Sequence, residues 1–228
     1  MDINNLSKQE RDVYEPLAEE HNKRIDDENK EAAERLASEA AIPDADDPPL
    51  DEKTRKEMII KHLQDHSDAL YPLLVRGAVL RCRMGSHRRK LNLPFSHGIW
   101  TGEAKHPFVH EEDAVFDKNI MYFGHCKGTI NKSGVAEEID LEMVTYDEEH
   151  NAKPTGAVTR AYKCKPQIIG GCWSMTHKET KILKNGRPMS EENAAECVTG
   201  ASFLVCIFGG LIEPLTDGTE NKDTKPIG

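Results

Sequence analysis

The stretch that decides the fold runs from residue 74 to residue 126, where short patterns of apolar, glycine and cysteine residues follow one another. They are Val75-Arg76-Gly77-Ala78, Cys82-Arg83-Met84-Gly85, Leu91-Asn92-Leu93-Pro94-Phe95-Ser96-His97-Gly98, Asn119-Ile120 and Phe123-Gly124-His125-Cys126. Short apolar runs broken by glycine, proline and asparagine are typical of strands joined by tight turns. The stretch therefore predicts a β-rich body.

A second series with similar ingredients follows farther along the chain. It comprises Cys164-Lys165-Pro166-Gln167-Ile168, Trp173, Ser202-Phe203-Leu204-Val205-Cys206 and Gly209-Gly210-Leu211-Ile212. Around these patterns we predict strands over residues 73–80, 157–162, 180–183 and 203–208. Residues 128–154 are polar, with a hint of alternation from Ile139 to Thr145, which predicts an inserted hairpin or long loop.

The charge of the chain divides it near residue 70. Residues 1–70 contain 20 acidic and 10 basic residues, so they hold the whole formal net charge of −10, whereas the remainder is balanced. All six cysteines, all six phenylalanines and both tryptophans lie after residue 70. Because a packed core needs such residues, we predict a thin acidic helical extension over 1–70 and a globular β-rich domain over 71–228, ending in a flexible tail over 216–228.

The extension reads as two helices joined by a stiff connector. Ser7-Lys8-Gln9-Glu10 fits a capping box that would begin a helix over 7–41. Leu17, Ile25, Leu36 and Ala40 fall near one face of that helix at helical spacing. Prolines and aspartates over 42–50 predict an extended linker, and a second helix is predicted over 51–70.

Several function classes are disfavoured by the sequence. The N-terminus lacks the basic and apolar regions of a signal peptide, which predicts synthesis in the cytoplasm. An acidic chain of pI about 5.5 is a poor binder of nucleic acid. Known nucleophile and phosphate-loop motifs are absent, and Pro107 disfavours a helical metalloprotease motif at His106 and His110. We therefore expect a protein that is not an enzyme.

The order of the two series resembles that of the PAAR-like proteins, cysteine-bearing relatives of the PAAR domain that tips the spike of contractile injection systems such as type VI secretion. The resemblance covers about residues 72–215. It implies an α+β fold, with a conical PAAR-like body of short strands behind the N-terminal helices. It also implies a structural role, capping a trimeric spike protein (VgrG-like), contacting the target membrane transiently during puncture and being delivered outside the cell.

The cysteines are the candidate metal ligands. Cys82, Cys126, Cys164 and Cys206 lie where the family pattern has its cysteines, but their wide spacing alone leaves zinc ligation, buried free thiols and disulfides open. A slender body buries little core, so structural zinc would supply folding energy that burial cannot. The resemblance suggests His97 as a substitute ligand. Cys172 and Cys197 are treated as core residues.

Two further sites follow from the same resemblance. The spike-binding surface is predicted at Phe208, Gly209, Gly210, Leu211 and Ile212, because paired glycines permit close backbone approach and their neighbours are apolar. Residues 1–70 are predicted to dock an effector or its chaperone. The alternative function is a secreted zinc-dependent effector enzyme carried on a PAAR-like body, which would keep one coordination position of zinc open for water.

Overall fold

The computed structural model describes residues 3–39, 51, 53–54, 71–101, 106–129, 136–184 and 193–220. The chain forms two compact units: residues 1–17 together with 73–228 make the first, and residues 18–72 make the second. Within the part of the chain that the structure describes, none of the helices combines the length and the apolar composition that a membrane span requires. The linker predicted over 42–50 and nearly all of the helix predicted over 51–70 lie outside the described residues.

The N-terminal helix α1 runs from Lys8–Glu39 and is preceded by a short 3-10 turn at Ile3–Asn5. Its predicted capping box is present: the backbone N–H of Ser7 donates to Glu10 Oε2 at 2.9 Å, and that of Glu10 donates to Ser7 Oγ at 3.3 Å. These bonds satisfy two donors that a helix start leaves unpaired. Pro16, which lacks an N–H for the helix ladder, lies two residues before the division between the units.

The start of α1 belongs to the β-rich unit. Leu6 and Tyr14 are buried. The Tyr14 hydroxyl lies 2.9 Å from Ser174 Oγ, and its ring stacks on Phe203 with centroids 6.1 Å apart. The start of the chain therefore supplies side chains to the β-rich unit. That residues 71–228 fold without residues 1–70 stays a prediction.

The centre of this unit is a four-stranded antiparallel sheet in the order β2-β1-β8-β7. Its strands are β1 (Val79–Cys82), β2 (Arg89–Lys90), β7 (Leu204–Cys206) and β8 (Gly210–Pro214). Strand β8 lies between β1 and β7, so its first four residues are buried. Trp173 and Phe123 are fully buried in the core beside this sheet.

Two hairpins complete the described strands. The first joins β3 (Glu138–Tyr146) to β4 (Ala152–Tyr162), and the second joins β5 (His177–Leu183) to β6 (Ala194–Cys197). Strand β4 has one buried residue, Ala161, and is otherwise exposed. Of the two alternatives predicted for the polar segment, a hairpin or a long loop, the structure has a hairpin, and it extends to residue 162.

The α+β, β-rich fold class predicted from the sequence is confirmed by the helix and the small antiparallel sheets. The beginning of the predicted flexible tail is wrong. The Thr216 hydroxyl accepts a hydrogen bond from the N–H of Val79, and the carbonyl of Asp217 accepts one from Val75. These bonds fix residues 216 and 217 to the edge of the body.

Candidate metal centre

Two of the predicted cysteines end neighbouring strands of the central sheet. Cys82 ends β1 and faces Ile212 of β8, whereas Cys206 ends β7 and faces Gly210 at the start of β8. Each begins a Cys-x-x-Gly turn, closed by a backbone hydrogen bond of 3.0 Å from Gly85 to Cys82 and of 2.9 Å from Gly209 to Cys206. The two turns therefore flank the start of β8 in the same way.

Glycine at position 210 permits this approach. A Cβ atom built on Gly210 would lie 2.8 Å from Cys82 Sγ and 3.5 Å from the Cβ of Cys206. The first distance is well inside van der Waals contact, so a larger residue would push the two cysteines apart. The glycine that sequence reasoning assigned to a spike surface instead makes room for the thiols.

The other two cysteines reach the same place from loops. Cys126 forms a bridge with Gly85 of the first turn, and the backbone N–H of Cys164 donates to the carbonyl of Gly124 at 2.9 Å. The side chains of Cys126 and Cys164 are hydrogen-bonded to each other. Cys82 interacts electrostatically with both Cys206 and Cys126. The structure thus brings the four predicted cysteines together from four distant segments, and all four are buried.

Backbone N–H groups point at every sulfur of this cysteine group, which comprises Cys82, Cys126, Cys164 and Cys206. In three cases the donor is the residue two positions later: Met84 for Cys82, Gly128 for Cys126 and Phe208 for Cys206. Gly128 lies 3.4 Å from Cys126 Sγ. The sulfur of Cys164 accepts a hydrogen bond from the backbone N–H of Phe123. Hydrogen bonds of this kind stabilise a thiolate relative to a thiol.

The pKa values of the four cysteines indicate that the group, without a cation, lacks the positive charge needed to keep its thiols deprotonated. Burial raises the pKa of Cys82 to about 12, and burial likewise raises that of Cys206. The hydrogen bond from Cys164 lowers the pKa of Cys126 and raises that of Cys164, because the pair shares one proton. A buried divalent cation would supply the positive charge that converts such thiols to thiolates.

The cysteine group fits zinc on the chemistry of its donors. Four thiolates fill the tetrahedral coordination that zinc prefers and leave no position for water, and the N–H groups form an outer shell around the sulfurs. In the described part of the chain the sulfurs do not come within 4.8 Å of one another three at a time. Zinc would therefore have to draw them closer together.

His97 lies in a different place from the cysteine group. Its Nε2 is 2.9 Å from Asp113 Oδ2 and its Nδ1 is 3.1 Å from the carbonyl oxygen of Lys184. Its ring centroid is 4.0 Å from that of His110. The structure thus separates the predicted substitute ligand from the four cysteines, and Cys172 and Cys197 also lie outside the group.

His97, His110 and Asp113, which we call the histidine group, offer ligand atoms that all lie within 4.8 Å of one another. In the sequence, His110 is notable only for its spacing from His106, and nothing distinguishes Asp113 from other acidic residues. The i,i+3 spacing of His110 and Asp113 could have indicated that the two side chains lie close together. The turn between them is closed by a backbone hydrogen bond of 3.0 Å.

Electrostatics differ between the two histidines. Burial lowers the pKa of His97, but the hydrogen bond and charge of Asp113 outweigh it, so the pKa is raised overall. Burial lowers the pKa of His110, and the nearby His97 adds to that effect. Asp113 is itself held in place, since it accepts the backbone N–H of His110 at 2.9 Å.

The predicted spike-binding patch needs a correction. Leu211 and Ile212 are fully buried in the central strand β8, and Gly210 is buried beside Cys82. A strand with neighbours on both edges and core on its faces presents no free apolar surface. Of the five predicted residues, Phe208 and Gly209 are partly exposed, and they lie in the turn between β7 and β8.

The basic residues near Cys82 have partners within the protein. Glu213 is 3% exposed and accepts Arg81 Nη2 at 3.2 Å and Arg83 Nε at 3.2 Å. Arg88 and Arg89 lie over the rings of Tyr146 and Tyr122, respectively. These four arginines therefore contribute contacts within the fold.

Comparison with known proteins identifies one family. Residues 74–218 match the family described as Domain of unknown function (DUF4280). No curated protein and no solved structure matches the chain.

Proposed function

The chain belongs to the DUF4280 family, and we propose that this member is a structural spike-tip protein of a contractile injection system. In this proposal the β-rich body resembles PAAR-like proteins and caps a trimeric spike protein. The cysteine group holds structural zinc. The N-terminal helices attach or recruit effector cargo, and the tip contacts the target membrane transiently when the spike is driven through it.

The observation that carries the proposal is the convergence of four cysteines from the ends of β1 and β7 and from two loops. A zinc ion there would cross-link segments more than 120 residues apart in the sequence. Structural zinc contributes about 10 kcal/mol or more to folding in small domains. A tip that transmits force needs a high barrier to unfolding, and a cross-link of this kind raises it.

The composition of the cysteine group favours the structural role over the alternative of a zinc-dependent effector enzyme. Catalytic zinc sites have three protein ligands and a position for water or substrate, whereas structural sites are closed by four. Four buried cysteines supply a full set of ligands. This centre therefore suits cross-linking of the body.

Docking on the spike is assigned to the partly exposed turn at Ile207, Phe208 and Gly209. The turn is held from beneath, since Gly209 bonds Cys206 and the carbonyl of Phe208 accepts the N–H of Thr129 at 3.2 Å. A rigid turn with two apolar side chains suits the blunt end of a β-helical trimer.

Acidic α1, with charged residues along most of its exposed length, supplies the surface for cargo.

The test is co-expression and co-purification with a VgrG-like trimeric spike protein. Ile207→Lys should abolish the complex while circular dichroism and melting temperature stay near those of the parent protein. Val158→Lys is the matched control, because Val158 is 65% exposed on the hairpin far along the chain from the turn. Failure of the unmodified protein to bind the spike would overturn the tip assignment, and normal binding by Ile207→Lys would overturn the choice of surface.

A further inference from the structure

The histidine group brings two ring nitrogens and a carboxylate oxygen within 4.8 Å of one another. His110 Nδ1 lies 3.1 Å from the backbone N of Glu112, which can only donate. That ring nitrogen is therefore unprotonated, and it lies 3.6 Å from Asp113 Oδ2. Its one lone pair accepts the N–H of Glu112 in the structure, so binding a metal ion through Nδ1 requires that hydrogen bond to be given up.

His97 supplies the second ring nitrogen donor beside the same carboxylate oxygen. Its Nδ1 lies 3.1 Å from the carbonyl oxygen of Lys184, which can only accept, so Nδ1 carries a proton. In the neutral ring Nε2 then holds a lone pair, and it lies 2.9 Å from Asp113 Oδ2. Only a second proton or a metal ion can reconcile these two atoms.

We propose that His97 Nε2, His110 Nδ1 and Asp113 Oδ2 bind a divalent transition-metal ion of the zinc class, at a site separate from the cysteine group. Two imidazoles and one carboxylate are a common set of ligands for such ions. The Lys184 carbonyl serves as the outer partner that fixes the tautomer of His97. The site goes beyond the proposed tip function and does not depend on it.

The distances suit a tetrahedral ion. Ligand atoms about 2.1 Å from zinc in a tetrahedron lie about 3.4 Å apart. The separations from Asp113 Oδ2 are 2.9 Å to His97 and 3.6 Å to His110, each within about half an ångström of that value, and the ligand atoms of all three residues lie within 4.8 Å of one another. The side chains of His97, His110 and Asp113 are 11%, 5% and 8% exposed, respectively. Because they are shielded from water, the carboxylate attracts a cation more strongly.

Three protein ligands leave at least one coordination position for water or another ligand. Beside the group is a cavity of about 640 Å³, and its wall includes Phe95, Val115, Lys118 and Lys184. Lys184 is paired with Glu112 at this wall. Lys118 and the charge of the metal ion favour an anion, such as a carboxylate, at the open position, and this open position distinguishes the site from the closed cysteine group.

Cobalt binding to the full chain tests the proposal without any substitution. Cobalt held by cysteines produces intense sulfur-to-metal charge transfer, whereas cobalt held by nitrogen and oxygen ligands produces only weaker d–d bands. We expect titration with Co²⁺ to reveal bound cobalt beyond the amount that produces charge transfer. If all bound cobalt is accompanied by charge transfer in proportion, the histidine group holds no metal and the proposal is wrong.

Substitutions then locate the site. Asp113→Asn keeps an oxygen to accept the N–H of His110 but removes the charge, and His97→Gln removes an imidazole. Each should lower zinc stoichiometry by one ion per chain in native mass spectrometry, or weaken binding by more than about 100-fold, since loss of an outer-shell partner alone costs about 10–100-fold.

The matched control is His150→Asn, at a turn of the β3–β4 hairpin where the backbone has φ of 64°. Asparagine tolerates that conformation, so this variant should bind as much zinc as the unmodified protein. An equal loss of one ion in His150→Asn would assign the metal elsewhere. Unchanged stoichiometry in both Asp113→Asn and His97→Gln would show that a proton alone joins His97 to Asp113.

Discussion

The four-stranded sheet and the β3–β4 hairpin are both antiparallel, but they differ in length and burial. Strands of the sheet have two to five residues, whereas β3 and β4 have 9 and 11. The short β7 and β8 are almost wholly buried, and β4 is almost wholly exposed. We therefore expect the stability of this body to depend on the buried short strands and little on the exposed β3–β4 hairpin.

The largest effect is expected at the cysteine group, where we propose that zinc cross-links the sheet. Cys82→Ser removes a ligand from the cysteine group, so we expect loss of zinc and of a large part of the roughly 10 kcal/mol that structural zinc contributes. At about 2–4 °C for each kcal/mol, the melting temperature should fall by more than about 10 °C. Calorimetry and zinc content measured on the same sample check both.

Cys172→Ser is the control for this substitution, because Cys172 is half-buried and lies outside the cysteine group. It should keep its zinc and melt within about 2 °C of the unmodified protein, in line with a substitution of under 0.5 kcal/mol. Equal melting temperatures for Cys82→Ser and Cys172→Ser would contradict the proposal that zinc bound by the cysteine group stabilises the sheet.

A smaller loss is expected from crowding beside the sheet. A Cβ on Gly128 would lie 2.2 Å from the carbonyl oxygen of Phe208, and backbone must move to relieve that overlap. Gly128→Ala should cost about 3 kcal/mol in urea unfolding. Gly156→Ala, in the hairpin, meets no atom within 4 Å although its φ is +76°, so it should cost only about 1 kcal/mol. Similar losses would mean that the hairpin is as tightly packed as the sheet.

The start of α1 provides a finer measurement. Tyr14→Phe keeps the ring on Phe203 and removes the hydroxyl bonded to Ser174. We expect a loss of about 1 kcal/mol by chemical denaturation, with Ser174→Ala giving a similar loss and the double variant little more. Additive losses in the double variant would indicate that the two hydroxyls do not interact.

The smallest effect is expected on the hairpin itself. Val158 of β4 is 65% exposed, so Val158→Lys should change the free energy of unfolding by less than about 0.5 kcal/mol. Urea titration is the measurement. A loss above about 2 kcal/mol would show that the hairpin supports the body after all, and the comparison with the sheet would fail.

The sequence predicted local features because these depend on neighbouring residues. The capping box at Ser7 and Glu10 depends on a spacing of three, and the β3–β4 hairpin depends on alternation that survives in a polar segment. The four cysteines were selected through a family resemblance, and the structure brings them together. Their separations in the sequence carried no such information.

The predictions that failed concerned exposure. Gly209-Gly210-Leu211-Ile212 looks like an accessible apolar patch, yet pairing of β8 with β1 and β7 buries it from Gly210 onward. Residues 216 and 217 look like the start of a tail, yet they bond Val79 and Val75. The composition of a segment gives its polarity, but its exposure to solvent depends on the strands and residues that pack against it.

By itself the sequence determined the acidic helix, the β-rich body and the four thiols available to it, because charge, periodicity and residue type are properties of the chain. The tertiary structure alone decided that His97 lies with His110 and Asp113 and not with the cysteines. It also decided which glycines make room for sulfur. Ligation and close approach depend on distances of a few ångströms between segments far apart in the chain, and these distances are set by packing.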